Sequence, residues 1–131
     1  MLFVVLLYLK TNTGNEMDRK TLQQKFDEFN QEKFEGKLPT YQISIRNMRN
    51  LGRVNFIKKT ISIKAFGRDD ESILNTLLHE MIHADLHRRG CKNKAHSVRF
   101  WRMFAEKGGI ITETNKQLFA KARSVAEERA K

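Results

Sequence analysis

The sequence is poor in residues that cross-link or break a chain. Among its 131 residues stand one cysteine, Cys91, and one proline, Pro39. A lone cysteine excludes an internal disulfide and a metal site built from cysteines alone. It suits a reducing, intracellular compartment. No apolar run approaches the ~20 residues needed to span a bilayer, so no transmembrane segment is expected. The run Leu2–Leu9 lacks both a preceding basic stretch and a following small-residue cleavage site, so it does not read as a secretory signal. Residues 1–16 are therefore expected to be an N-terminal extension, either an edge strand or a non-native leader ahead of Met17. An interfacial anchor is the remaining option. Residues 17–131 are expected to form one domain. Acidic residues are missing altogether from Gly36 to Arg68, where eight basic ones stand.

With 40% hydrophobic and 31% charged residues, the chain has the composition of a globular domain and not of a disordered one. Its 25 Lys and Arg against 15 Asp and Glu leave a net charge of +10. That excess favours an anionic partner, and DNA or RNA is the commonest for a small basic protein. Within the acid-free stretch, Arg46, Arg49, Arg53, Lys58 and Lys59 are candidates for contacts to a phosphate backbone. The alternative is an ordinary solvated sheet face.

Leu22, Phe26, Phe29 and Lys33 share one stripe at helical spacing, which predicts a helix over 17–35 that Gly36 and Pro39 end. Three short alternating patterns follow: Tyr41/Ile43/Ile45, Val54/Phe56 and Ile61/Ile63/Ala65. An antiparallel meander is the simplest arrangement for them. Asp69 and Asp70 suit a helix N-terminus, and the apolar arc from Ile73 to Leu86 is wide enough to require a central, buried helix ending at Gly90. A helix from about His96 to Lys107 comes next. Thr114 with Gln117 resembles a capping box for a last helix reaching Arg129.

The central helix carries His79-Glu80-Met81-Ile82-His83, an HExxH motif. Residues four apart share a helix face, so both imidazoles can reach one metal ion from adjacent turns. Glu80 is rotated about a quarter turn away, where its carboxylate can act on a water at the metal without ligating the ion. Three ionisable groups in an apolar stretch would cost several kcal/mol if buried without partners, and a bound metal compensates for that directly. Imidazole ligands with an open position suit a catalytic zinc. For the third ligand His96 is the strongest candidate, because Gly90 lets the chain turn back and Phe100, Trp101 and Phe104 would anchor the following helix. Glu106 is a second candidate. His87 lies about 12 Å beyond His79 along the helix, too far to share the ion. Cys91 would matter only as a fourth ligand in a structural site. No motif marks a second electrophile; Tyr41 is a bare candidate.

The segment LLHEMIHADLHRRGCKNKAHSVRFWRMF resembles the active-site region of the SprT-like metallopeptidases, the family that includes the Spartan DNA–protein crosslink proteases. That family's pattern is HExxH on a buried helix, a short variable loop, then His-Gly-x-x-Phe. Here the second element reads His96-Ser97-Val98-Arg99-Phe100, with serine in place of the glycine. FNQEKFEGKLP and TISIKAF are similar to the family's first helix and sheet, so the resemblance runs from Met17 to Lys107. It implies His79, His83 and His96 as zinc ligands, Glu80 as catalytic base, and one zinc ion per chain. The fold it implies is α+β and zincin-like, a small antiparallel sheet with a buried HExxH helix and flanking helices. The expected activity is hydrolysis of peptide bonds in proteins bound or crosslinked to nucleic acid. No cysteine pairs follow, so the zinc-binding subdomain of many relatives has no counterpart, which bears on how DNA would be held. The rival reading is a basic nucleic-acid-binding module whose zinc is structural or vestigial. A zinc peptidase that works without nucleic acid would leave the charge of +10 unexplained.

Overall fold

Among the described residues one helix, three strands and three further helices follow in the order α1 (Arg19–Phe34), β1 (Gln42–Ile45), β2 (Gly52–Asn55), β3 (Thr60–Ile63), α2 (Asp70–Arg88), α3 (Val98–Glu106) and α4 (Glu113–Ala130). The structure is a computed structural model and describes residues 17–91 and 95–130; the extension expected over residues 1–16 lies outside them. No helix among the described residues is long and apolar enough to cross a membrane.

Each helix begins where a short polar side chain replaces the missing backbone acceptors. Asp18 accepts from Thr21 N at 2.8 Å, and Asp69 from Ser72 N at 2.8 Å. Ser97 accepts from Phe100 N at 3.3 Å, and Thr112 from Asn115 N at 3.3 Å. The last helix is thus capped two residues before the expected Thr114. Glu35 (φ 57°) and Gly36 (φ 70°) turn the chain out of α1 through the left-handed region. The buried stripe of α1 is Leu22, Phe26, Asn30 and Phe34, with Phe29 and Lys33 only half-buried. Asn30 is polar and buried because its amide donates to Leu38 O (3.0 Å) and accepts from Leu38 N (3.1 Å), pinning the turn into the sheet.

The sheet is mixed and not the antiparallel meander expected from the sequence. Its order is β1-β3-β2, with β1 parallel to β3 and β2 antiparallel to β3. β3 takes the centre because Ile61 and Ile63 are both fully buried on its inner face, whereas Ile45 of β1 is 38% exposed. The Arg46–Leu51 connection carries the chain past the place that β3 then fills. Outer-face positions are small and polar: Ser44 and Ser62 share a hydrogen bond of 3.0 Å across the parallel pair. The start of the outer edge of β1 is covered by a side chain. Gln23 of α1 donates from Nε2 to Tyr41 O (2.9 Å) and accepts from Ile43 N at Oε1 (2.9 Å).

α2 packs against β2, β3, α1 and α3, which places its middle turns at the centre of the molecule. α3 brings Phe100, Trp101 and Phe104, all fully buried, onto the same core. Lys33 and Lys107 exchange hydrogen bonds with each other's carbonyls and tie the end of α1 to the end of α3.

Candidate metal centre

The HExxH residues lie in the third quarter of α2, where the helix is covered by α3 on one side and β2 on the other. Gly90 (φ 73°) ends the run beyond α2, Ser97 caps α3, and His96 just before that cap lies against the flank of α2. One ring nitrogen from each of His79, His83 and His96 lies within 4.8 Å of the others. His79 Nε2 and His96 Nε2 are 3.1 Å apart, a separation at which one imidazole donates to the other. No other hydrogen bond to these ring nitrogens is seen among the described residues.

Aromatic packing holds the three rings. His79 meets Phe100 edge-on at 4.7 Å between centroids and touches Trp101 (5.8 Å) and Phe104 (5.6 Å). His83 stacks on Phe100 at 4.4 Å, and His96 on Trp101 at 5.4 Å. These apolar walls determine the protonation state. Burial, and then the neighbouring His83 and His96, push His79 down to about 3. Burial and then His96 push His83 down to about 4, and burial lowers His96 as well. At neutral pH all three imidazoles are therefore uncharged, the form that offers lone pairs to a metal. A pairwise hydrogen bond satisfies two of the rings and leaves the third without a partner, whereas one cation would engage all three. The donor set fits a metal ion of zinc's type.

Glu80 is not one of the grouped ligands. It lines a cleft of about 500 Å³ with His79, Thr76, Gly52, Leu51 and Arg68, while remaining only 7% exposed. Burial pushes its carboxyl up to about 7. A second groove of about 200 Å³ opens on the far side of His83, between Phe56, His87, Cys91 and Arg99.

The other sequence candidates fall outside the cluster. Glu106 is exposed beside Lys33 and Lys107, at the opposite end of α3 from His96. His87 stacks flat on Phe56, with centroids 4.1 Å apart and rings 2° from parallel. Cys91 Sγ accepts from Arg99 Nη1 at 2.9 Å and is not one of the grouped ligands. Tyr41 is buried against Phe26 and lines neither cavity beside the histidines, so it is not an electrophile there. Arg46, Arg49, Arg53, Lys58 and Lys59 are all exposed on the sheet and its connections.

The cleft also has parts that no sequence pattern announced. Arg68 donates to Lys64 O (2.7 Å), Ser72 O (3.0 Å) and Thr76 Oγ1, and among the described residues it meets no carboxylate at hydrogen-bonding distance, although the neighbouring Asp69 attracts its charge. Asn75 holds Ile110 through both backbone groups at 2.9 and 2.8 Å, fixing the far wall. The one available signal was spacing: Thr76 and Glu80 stand four apart on the face that carries the motif.

The sequence model of the SprT-like family matches residues 22–119. The matched stretch runs past Lys107 into α4, as far as Phe119, whose ring lies 6.4 Å from Trp101. Comparison with curated proteins and with solved structures gives no match.

Proposed function

The chain belongs to the SprT-like family, and from that premise we propose that residues 17–131 form a zincin-like metallopeptidase domain that cleaves peptide bonds. The observation that carries this reading is the convergence of three neutral imidazoles within 4.8 Å, with Glu80 adjacent to them in a cleft. His79, His83 and His96 would hold one zinc ion. The chemistry supplied by the bound ion is Lewis acidity towards a water and a carbonyl oxygen.

The rest is done by side chains and backbone. Glu80 takes the proton of the attacking water on its carboxylate and returns it to the leaving amine. A carboxyl near 7 suits both transfers at neutral pH, and burial supplies that value. β2 has no strand on its outer side among the described residues, so an extended peptide can add along it and lie across the cleft mouth. Thr76, Asn75 and Ser72 give that cleft hydrogen-bonding walls. The exposed Arg46, Arg49, Arg53, Lys58 and Lys59 support substrates that arrive on DNA or RNA, held by a sequence-independent phosphate term. The rival structural-zinc module would need a fourth ligand, and Cys91 is engaged by Arg99 instead.

Zinc content and cleavage test the reading together. Purified wild-type protein is expected to hold one zinc per chain and His96→Ala to lose it. Wild type should cleave a DNA-bound basic protein, and Glu80→Gln should retain zinc while losing the cleavage. Full zinc affinity in His96→Ala would break the ligand assignment. Equal cleavage by wild type and Glu80→Gln would remove the enzymatic reading.

A further inference from the structure

Gly52 opens β2 beside Thr76 and Glu80 of α2. A side chain there would have to displace its neighbours. An added Cβ would lie 2.6 Å from Thr76 Cγ2, 2.9 Å from Glu80 Oε2 and 3.1 Å from Glu80 Cγ. The backbone of Gly52 is not in the left-handed region, so the position demands space and not conformational freedom. The Glu80 carboxylate therefore rests directly against the strand backbone, with Thr76 beside it one helical turn earlier.

Arg68 sets the width of this gap by bonding to both of its sides. On the sheet side, Nη1 donates to Lys64 O (2.7 Å) and reaches Leu51 O, the residue before Gly52, at 3.5 Å. On the helix side, Nη2 donates to Ser72 O (3.0 Å) and Thr76 Oγ1 (2.5 Å). Lys64 N reinforces the sheet side by donating to Leu51 O at 2.9 Å. Arg68 is half-buried, and among the described residues it donates no hydrogen bond to a carboxylate, so its bonding goes into these carbonyls and one hydroxyl.

We propose that Gly52 is a positioning residue for Glu80: its missing side chain creates the slot in which the carboxylate rests, and Arg68 with Thr76 holds that slot at one width. This rests on the reading of Glu80 as the base. A carboxylate packed against backbone on one side and open to the cleft on the other has one place to meet a substrate water. Displacement of a reacting group by about 1 Å can lower a rate on the order of 10²-fold.

Two variants separate positioning from packing. Gly52→Ala should lower both the melting temperature and kcat, because its methyl strikes Thr76 and Glu80 together. Gly52→Ala/Thr76→Ser removes the Cγ2 that the new methyl would strike and keeps the hydroxyl that accepts from Arg68. The double variant should regain most of the melting temperature and the full zinc stoichiometry. Its kcat should stay at least ~10-fold low, with KM little changed, since the contact with Glu80 remains. Recovery of kcat along with the melting temperature would overturn the proposal, leaving the slot as packing alone. Should Gly52→Ala fail to fold, Arg68→Lys carries the test, because one ammonium cannot span both sides of the gap. A kcat loss with zinc retained is expected there, and an unchanged kcat overturns the proposal. Failure of the underlying reading looks different: Glu80→Gln, with Gly52 intact, would then cleave as well as wild type.

Discussion

Replacing Glu80 with glutamine separates what the carboxylate does for chemistry from what it does to stability. Glu80 is 7% exposed, and burial pushes its carboxyl from the ordinary 4.5 to about 7. Below pH 4.5 the group is protonated in both folded and unfolded chains and favours neither. Between pH 4.5 and about 7 the unfolded chain releases its proton while the folded chain retains it, so stability falls as pH rises. Above that window the loss is constant. A rise from 4.5 to about 7 is equivalent to about 3 kcal/mol. Glutamine has nearly the same shape and no charge to desolvate. Metal-free Glu80→Gln should therefore match wild type at pH 4 and exceed its stability by about 3 kcal/mol at pH 8. For a chain of this length that is a rise in melting temperature on the order of 10 °C. Denaturant unfolding in the presence of a chelator, with equal m-values for the two proteins, measures it directly. Cleavage by the zinc-loaded variant should meanwhile drop ~10²–10⁴-fold. A stability difference that is the same at pH 4 and pH 8 would refute the argument, because it would mean that the carboxyl is not desolvated where it sits.

The histidines impose the opposite slope. His79 and His83 are held down to about 3 and about 4 against an ordinary 6.5, so the unfolded chain takes up protons first as pH drops through 6.5. In the metal-free Glu80→Gln background, stability should fall by roughly 4 kcal/mol between pH 7.5 and 5; a flat profile would contradict the burial of the rings. Asn30→Ala removes both hydrogen bonds to Leu38 and leaves buried backbone groups unpaired, so unfolding free energy should drop by about 2–3 kcal/mol. Charge reversal at Arg46, Arg49, Arg53 and Lys58 should weaken DNA binding and flatten its salt dependence without changing zinc content. Wild-type binding that does not vary with salt would remove the phosphate-backbone interpretation.

Much of the site was legible because it is local. HExxH and its apolar surroundings specify a buried helix whose two histidines share a face. The turn at Gly90 and the aromatics after Ser97 make His96 a natural third member, and all three rings converge. The sheet was less legible, because alternating residues fix which face of a strand is buried but not which strand lies beside it. The strand order β1-β3-β2 depends on the depth of Ile61 and Ile63 and on a connection whose sequence carries no direction. The slot around Glu80 was hidden for a related reason. Gly52 reads as a turn glycine beside Asn50 and Leu51, and Arg68 as one more surface cation. Their roles exist only once β2 and α2 lie side by side. Gln23 was hidden in the same way, being one of several polar residues on α1 until its amide meets β1.

That glutamine has a consequence for how copies of this protein can meet. A β-sheet extends indefinitely into a fibre only if each unit offers two unsatisfied sides, one to receive a neighbour and one to pass the pattern on. Gln23 occupies the start of the β1 side with a side-chain imitation of a neighbouring strand, so the described sheet is most open along β2. Strand-to-strand association of two molecules through β2 would then consume their most open sides at once. Because the β2 side lies against the Glu80 cleft, the same pair would shut both clefts. Self-association by this route would compete with the substrate for one strip of backbone.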